Sequence, residues 1–488
     1  MISQQSTLIS LDKVHPNPPG PPPLPFFGMW TFIGKHLHLE LTKLAKKHGN
    51  IFQIHVGNKT LVVLNGHEII KQALVKQSDS FNIRADFEVF RQPPQSNFLE
   101  LKSGEIWKRH HSIVGQIMHT FAVCKSDNLE SWAIEEAVDL ANIFVDSNGQ
   151  PFDPDLYLPL ATLSFMQRLI FGKKASFKDL EADPEFTATA HNLKHIPKVL
   201  DAIKLEFIPA IWQPIFKLYR LKVLQKFLTG LTALENYVSK NVARHQESFD
   251  PENLQDITDG LLQASRELTP LDRNQLGLSK DDIVNGSLMQ FAGAGGGLPS
   301  IILRWALLYA IAYPDIQAQI QKELDEVVGK EQPCSKHRGK LPFTEAFLNE
   351  VLRHSSITTM PPITYATSTD TTLDGYFIAK NTPILVNYYS LTRDERYWSE
   401  PEKFDPYRFL NKDGQLKNNL IDKFYPFGVG SRRCIGEYLG RFSIFLFLTN
   451  LLHRCKFERV PGEKLSLEPI PGAFVVPENY KVVVKPRF

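Results

Sequence analysis

The chain has 488 residues, 43% hydrophobic and 22% charged, with a formal net charge of +2. That balance excludes nucleic-acid binding by bulk charge and a wholly disordered chain. Four scattered cysteines, Cys124, Cys334, Cys434 and Cys455, with no CxxC pair, exclude a disulfide scaffold and a cysteine-rich zinc site.

In chain order, Met1 to Val14 is polar, with no apolar run of signal-peptide or membrane length. Pro16 to Phe27 carries seven prolines and predicts an extended lead-in. Leu39 to His48 reads as a helix, and Ile51 to Val63 as a hairpin around Gly57-Asn58-Lys59. From 107 to 330 the period is mainly helical. The clearest unit starts at the N-cap Ser279, has Asp281 and Asp282 in its first turn, and stops at Pro314. At about 45 Å it is long enough to cross a whole domain. A helix over Thr344 to His354, a β-rich stretch over Thr358 to Val386 and an apolar helix from Gly436 to Leu452 follow. Phe442 to Leu452 is the most apolar run, yet spans about half a bilayer, so no transmembrane span is predicted. The expected class is mainly α with small β-sheets (α+β). Residues 1–28 form the polar, proline-rich lead-in and 29–488 one catalytic domain.

The chemistry concentrates at Phe427 to Gly436, FGVGSRRCIG. Cys434 sits between Gly430 and Gly436, just before a predicted helix start, where backbone N–H groups favour a thiolate. The glycines admit a bulky partner close to the backbone, and Arg432 can pair with a carboxylate on that partner. Phe427, Gly430, Arg432, Cys434 and Gly436 fill every fixed position of F-x-x-G-x-R-x-C-x-G, which resembles the cysteine loop of the cytochrome P450 family. The resemblance implies the P450 fold, haem b as cofactor, Cys434 as the iron ligand and Arg432 as partner of a haem propionate. Glu350 and Arg353 share one helix face, and with Arg408 of Pro406-Tyr407-Arg408-Phe409 they resemble the family's structural E-x-x-R…R triad. Trp107 matches a propionate-binding tryptophan. Four residues on, where the family often has arginine, stands His111. The texture is similar to the animal microsomal hydroxylases of aryl hydrocarbons and steroids, whose N-terminal membrane helix has no counterpart before this proline tract.

The long helix departs from the family. Where oxygen-activating members carry A-G-x-[DE]-T, this chain reads Ala294-Gly295-Gly296-Gly297-Leu298-Pro299-Ser300, placing Gly297 at the acid position and Leu298 at the threonine. Three glycines cost about 1 kcal/mol each in a helix, and Pro299 about 3 kcal/mol. That cost is read as an opened groove above the iron, with Ser300 or water as the alternative proton carrier. Missing proton-handling side chains resemble the fatty acid hydroperoxide enzymes of the family: epoxyalcohol synthases, allene oxide synthases and hydroperoxide lyases. The expectation is therefore a haem-thiolate isomerase or lyase of polyunsaturated fatty acid hydroperoxides. Homolysis of the substrate O–O bond, epoxide closure and hydroxyl rebound would give an epoxyalcohol, with no NADPH or reductase. Gly296, Gly297 and Leu298 would make room for the peroxide beside Ala294, and Gln290 or Asn97 would supply a contacting amide. Pocket walls are expected from Phe87 to Phe98, Phe207 to Trp212, Ala294 to Leu298, Met360 to Ile363 and Phe474. The alternative is an NADPH- and reductase-dependent monooxygenase of a lipid, steroid or aromatic. The expected location is cytoplasmic, with peripheral contact to the endoplasmic reticulum or another membrane allowed.

Overall fold

A computed structural model describes residues 15–22, 36–56, 59–87, 91, 97–121, 126–172, 182–193 and 213–488. The proposed wall 207–212, most of the wall 87–98, the end of the proline tract and Cys124 lie outside these residues. The fold is mostly helical with small sheets, as the sequence predicts.

The predicted hairpin forms as β1 (Ile51–Val56) and β2 (Lys59–Leu64), in register Ile51↔Leu64 to Val56↔Lys59. Three more strands complete this sheet: β3 (Ile83–Arg84), β4 (Tyr365–Ala366) and β7 (Pro383–Val386), in the order β1-β2-β7-β4-β3. Only β2 and β7 run parallel, and this pairing joins segments far apart in sequence. Between them β5 (Thr371–Leu373) and β6 (Tyr376–Ile378) close on Asp374-Gly375, both at positive φ, as a tight hairpin turn demands. β3 matters for the site because it sets Arg84 opposite Tyr365.

The long helix runs Asp282–Ala312, and Ser279 caps it. The Ser279 N–H and hydroxyl both donate to Asp282 Oδ2 at 2.7 Å, and Ser279 Oγ accepts the Asp282 N–H at 3.0 Å. Its most apolar window is 72% buried, which places it through the core although its length and composition would also suit a membrane. The helix is not uniform: Phe291–Gly295 winds as a π-turn and Gly296–Ala312 resumes the α-helix, with Pro299 one turn inside. A wider turn just before a proline eases the clash between its ring and the carbonyl four residues earlier.

The glycine run has a packing cause as well. A Cβ on Gly295 would lie 2.7 Å from Met166 Cε, and one on Gly296 would lie 2.9 Å from Leu163 Cδ1. Both neighbours stand on the helix Leu158–Phe171, whose Thr162 hydroxyl donates to the Gly296 carbonyl at 2.6 Å. This corrects the expectation that Gly296 makes room above the iron: it and Gly295 let two helices touch. Ser300 Oγ donates to the Gly297 carbonyl at 2.7 Å and is buried, so its hydroxyl serves its own helix.

The helix Ser126–Val145 packs beside Leu158–Phe171 around buried charges. Arg168 lies 2.8 Å from Glu135 and 3.2 Å from Glu136, which is 1% exposed. Burial pushes the Glu136 carboxyl up to about 7, against the pull of Ser164 and Arg168. An acid raised in the folded state stabilises the fold fully below its unfolded pKa and loses that contribution as pH rises through its folded pKa. Between about pH 4.5 and 7 wild type should therefore lose on the order of 2 kcal/mol relative to Glu136→Gln. Thermal unfolding of both proteins across that window tests this; parallel curves would disprove it.

Candidate active site

Ten residues of loop build the thiol site before the helix Glu437–Arg454 begins. The Cys434 N–H donates to the Phe427 carbonyl at 2.9 Å, and the Gly428 N–H to the Tyr425 carbonyl at 2.9 Å, so the loop folds back on itself. Gly430 sits at φ 77°, and a Cβ there would lie 1.9 Å from the Leu74 carbonyl oxygen. The backbone conformation and the close approach both require glycine. The Arg441 guanidinium lies 4.7 Å from the Phe427 ring centroid and fixes that side of the loop.

Cys434 has accessible surface, yet burial pushes its thiol up to about 11, with the Gly436 N–H and the Arg433 charge pulling the other way. Both hold when the sulfur opens onto an enclosed space. There a thiol stays protonated unless a cation joins it, and a metal ion supplies that charge.

Arg432 points into the same region. Its Nε donates to the Asn82 carbonyl at 2.9 Å and its Nη2 to the Lys102 carbonyl at 2.7 Å. Its carbon Cζ lies 3.9 Å from the Trp107 ring centroid. Nη1 is buried with no hydrogen-bond partner. Burial and the charge of Arg84 push the guanidinium down to about 9; an arginine stays charged regardless, so it calls for an anion. The His111 ring lies 5.2 Å from Trp107, and burial, then Arg432, lowers its pKa. The Trp107 helix, Gly104–His119, thus brings Trp107 and His111 to Arg432.

A thiol needing a cation and a guanidinium needing an anion fit a haem, whose iron Cys434 would hold and whose propionate Arg432 would meet beside Trp107 and His111. The sequence reading missed two neighbours. Arg84 donates to the Glu100 and Ile363 carbonyls at 3.0 and 2.9 Å and lies 4.5 Å from the Tyr365 ring centroid. Glu100 adds a carboxyl whose pKa is raised by burial. Neither belongs to a motif, and both are placed by contacts between distant segments.

Of the residues assigned to the distal side, Ala294 is exposed, and Gly297 and Leu298 are half-buried. Gln290 Oε1 accepts the Leu99 N–H at 2.8 Å, so that oxygen is engaged by a loop. The Asn97 carbonyl oxygen presses on Gly286, where a Cβ would lie 2.4 Å away. Met360 and Ile363 are buried and Phe474 is half-buried.

The expected triad forms. Arg353 Nε donates to Glu350 Oε2 at 2.7 Å and Nη2 to Glu350 Oε1 at 2.8 Å, while Arg408 Nε reaches Glu350 Oε1 at 3.1 Å. Arg353 also donates to the Thr392, Pro401 and Lys403 carbonyls, and Arg408 to those of Ser399, Glu400 and Lys403. The triad therefore organises the chain that leads into the cysteine loop.

Residues 18–484 match the family described as Cytochrome P450. The chain is 38% identical over 462 residues to "Polybrominated aromatic compounds synthase" of Pseudoalteromonas luteoviolacea (strain 2ta16), covering 94% of this chain and 93% of that one. It is 33% identical to Cytochrome P450 1A1 of Sparus aurata, over 92% of this chain and 87% of the relative. Cytochrome P450 1A5 of Gallus gallus is also 33% identical, over 93% and 87%. The chain belongs to the cytochrome P450 family, whose cofactor is haem.

Proposed function

We propose that the protein is a haem-thiolate monooxygenase that receives NADPH electrons through a reductase and acts on an aromatic substrate. The observation that carries this reading is the likeness, over nearly the whole chain, to a synthase of polybrominated aromatic compounds. It makes the alternative weighed in the sequence the leading reading, ahead of the hydroperoxide isomerase.

Bound haem supplies redox chemistry at iron; the chain supplies the surroundings. Cys434 is the thiolate ligand, and the Gly436 N–H favours its negative charge. Arg432, Trp107 and His111 hold the propionate edge. Ala294 and Leu298 would present an apolar stretch of the long helix toward the reacting centre, with no side chain there to hold water. The Arg441 guanidinium over the Phe427 ring braces the cysteine loop.

The hydroperoxide reading keeps one observation in its favour: neither Gly297 nor Leu298 can carry a proton, and Ser300 is turned to its own backbone. One experiment separates the two. Purified holoprotein is given brominated aromatics with NADPH and a reductase, and separately a linoleate hydroperoxide with neither. NADPH-dependent conversion of an aromatic is expected. Rapid NADPH-free consumption of the hydroperoxide to one dominant product, with no aromatic turnover, would reverse the order.

A further inference from the structure

Away from the cysteine loop, two buried carboxylates meet one imidazole. His245 Nε2 lies 2.9 Å from Asp259 Oδ1 and 3.2 Å from Asp256 Oδ2. His245 stands in the last turn of the helix Gln213–Glu247, where the helix dipole favours a positive charge. Both carboxylates belong to the start of the helix Ile257–Arg266, and their other oxygens are engaged there. Asp256 Oδ1 accepts the Asp259 N–H at 3.0 Å, and Asp259 Oδ2 accepts the Gln255 N–H at 2.8 Å. That helix is fixed to the core: the Thr258 hydroxyl donates to the Ile170 carbonyl at 2.7 Å, and a Cβ on Gly260 would lie 2.9 Å from Phe121 Cε2. A Cβ on Gly172 would lie 2.9 Å from Asp256 Oδ2, so the helix Leu158–Phe171 ends against the same carboxylate. His245 is therefore a clasp between a core helix and the end of Gln213–Glu247, which also packs beside Asp282–Gly286 and Ser287–Gln290 at the start of the long helix.

We infer that His245 is a proton-operated latch, which holds the end of the helix Gln213–Glu247 on the core when charged and frees it when neutral. Charged, the ring puts one cation between two buried anions. Neutral, it leaves two like charges with the three facing atoms all within 4.8 Å of one another. On the elements packed around the latch, Lys240 pairs with Glu185 of the helix Pro184–Leu193, Arg168 with Glu135 and Glu136, Arg109 with Asp272, and Lys102 with Asp282. Arg266 stacks on Phe249, Asp250 accepts the Glu252 N–H, and Arg244, Glu247 and His119 are exposed. Asp256 and Asp259 raise the imidazole pKa, the Asp256 hydrogen bond first, against the opposing pull of burial. A base raised in the folded state stabilises the fold fully below its unfolded pKa and loses that contribution as pH rises through the folded one.

The test is amide hydrogen exchange of the holoprotein over Val238–Glu247, expressed as protection, at about pH 6 and about pH 9. Wild type should lose protection there several-fold at the higher pH. His245→Gln, whose amide can keep a hydrogen bond but never the charge, should be weakly protected at both. Asp259→Asn leaves one anion beside the ring and should move the wild-type loss to lower pH; this arm stands if His245→Gln does not fold. Protection in wild type that does not change, or that falls equally in folded His245→Gln, would overturn the inference. Protection of wild type that requires added zinc ion and is abolished in His245→Gln would also overturn it, because the three side chains would then be a metal site.

Discussion

Cys434→Ala should fold around the same core, lose the ferrous carbon monoxide band that marks thiolate ligation, and turn over at background. The fold should survive because the loop is built from backbone: the Cys434 N–H to the Phe427 carbonyl, and positive φ at Gly428 and Gly430, neither of which needs sulfur. The chemistry should not survive, because no other described cysteine can replace it. Cys455 is fully buried on a core strand, its thiol pushed up to about 12 by burial, and Cys334 stands near His337 on the loop before Pro342–Ser355. Absorbance of the reduced, carbon monoxide-treated protein reads the result directly. A thiolate band in Cys434→Ala would remove Cys434 from its proposed role.

Arg353→Met should be among the most destabilising single substitutions in the protein, by about 3–5 kcal/mol. Arg353 and Glu350 are both 0% exposed, so removing the cation leaves a carboxylate in the interior with one neighbouring cation, Arg408, and the Asp405 N–H as its remaining partners. Three backbone carbonyls of 392–403 also lose a donor, although Arg408 still reaches that of Lys403 and Arg393 that of Thr392. Against a total stability of about 5–15 kcal/mol that loss is a large share. Haem retention should fall with it, since this segment leads to the cysteine loop. Glu350→Gln combined with Arg353→Met should cost less than the two single changes added together, because the pair is one interaction. Chemical denaturation and haem content per chain measure both effects. A loss below about 1 kcal/mol for Arg353→Met would mean that the triad is not what holds this region.

The sequence by itself determined what depends on neighbours along the chain. The cysteine loop closes through hydrogen bonds spanning fewer than ten residues, so its fixed positions announce the site. The spacing of Glu350 and Arg353 places both on one helix face. The Ser279–Asp282 cap, the β1–β2 hairpin and the long apolar helix follow from local patterns. The departure at Gly297 and Leu298 was legible too, but its meaning was not. Only the tertiary structure shows that Gly295 and Gly296 pack on Met166 and Leu163, which changes a groove into a helix contact. Only β3–β4 pairing puts Arg84 on Tyr365, and only the folded chain brings Arg432 to Trp107 and Leu99 to Gln290. Such contacts join segments that follow no common period, so the amino-acid order carries no local trace of them; close packing and the need to partner buried charges decide them.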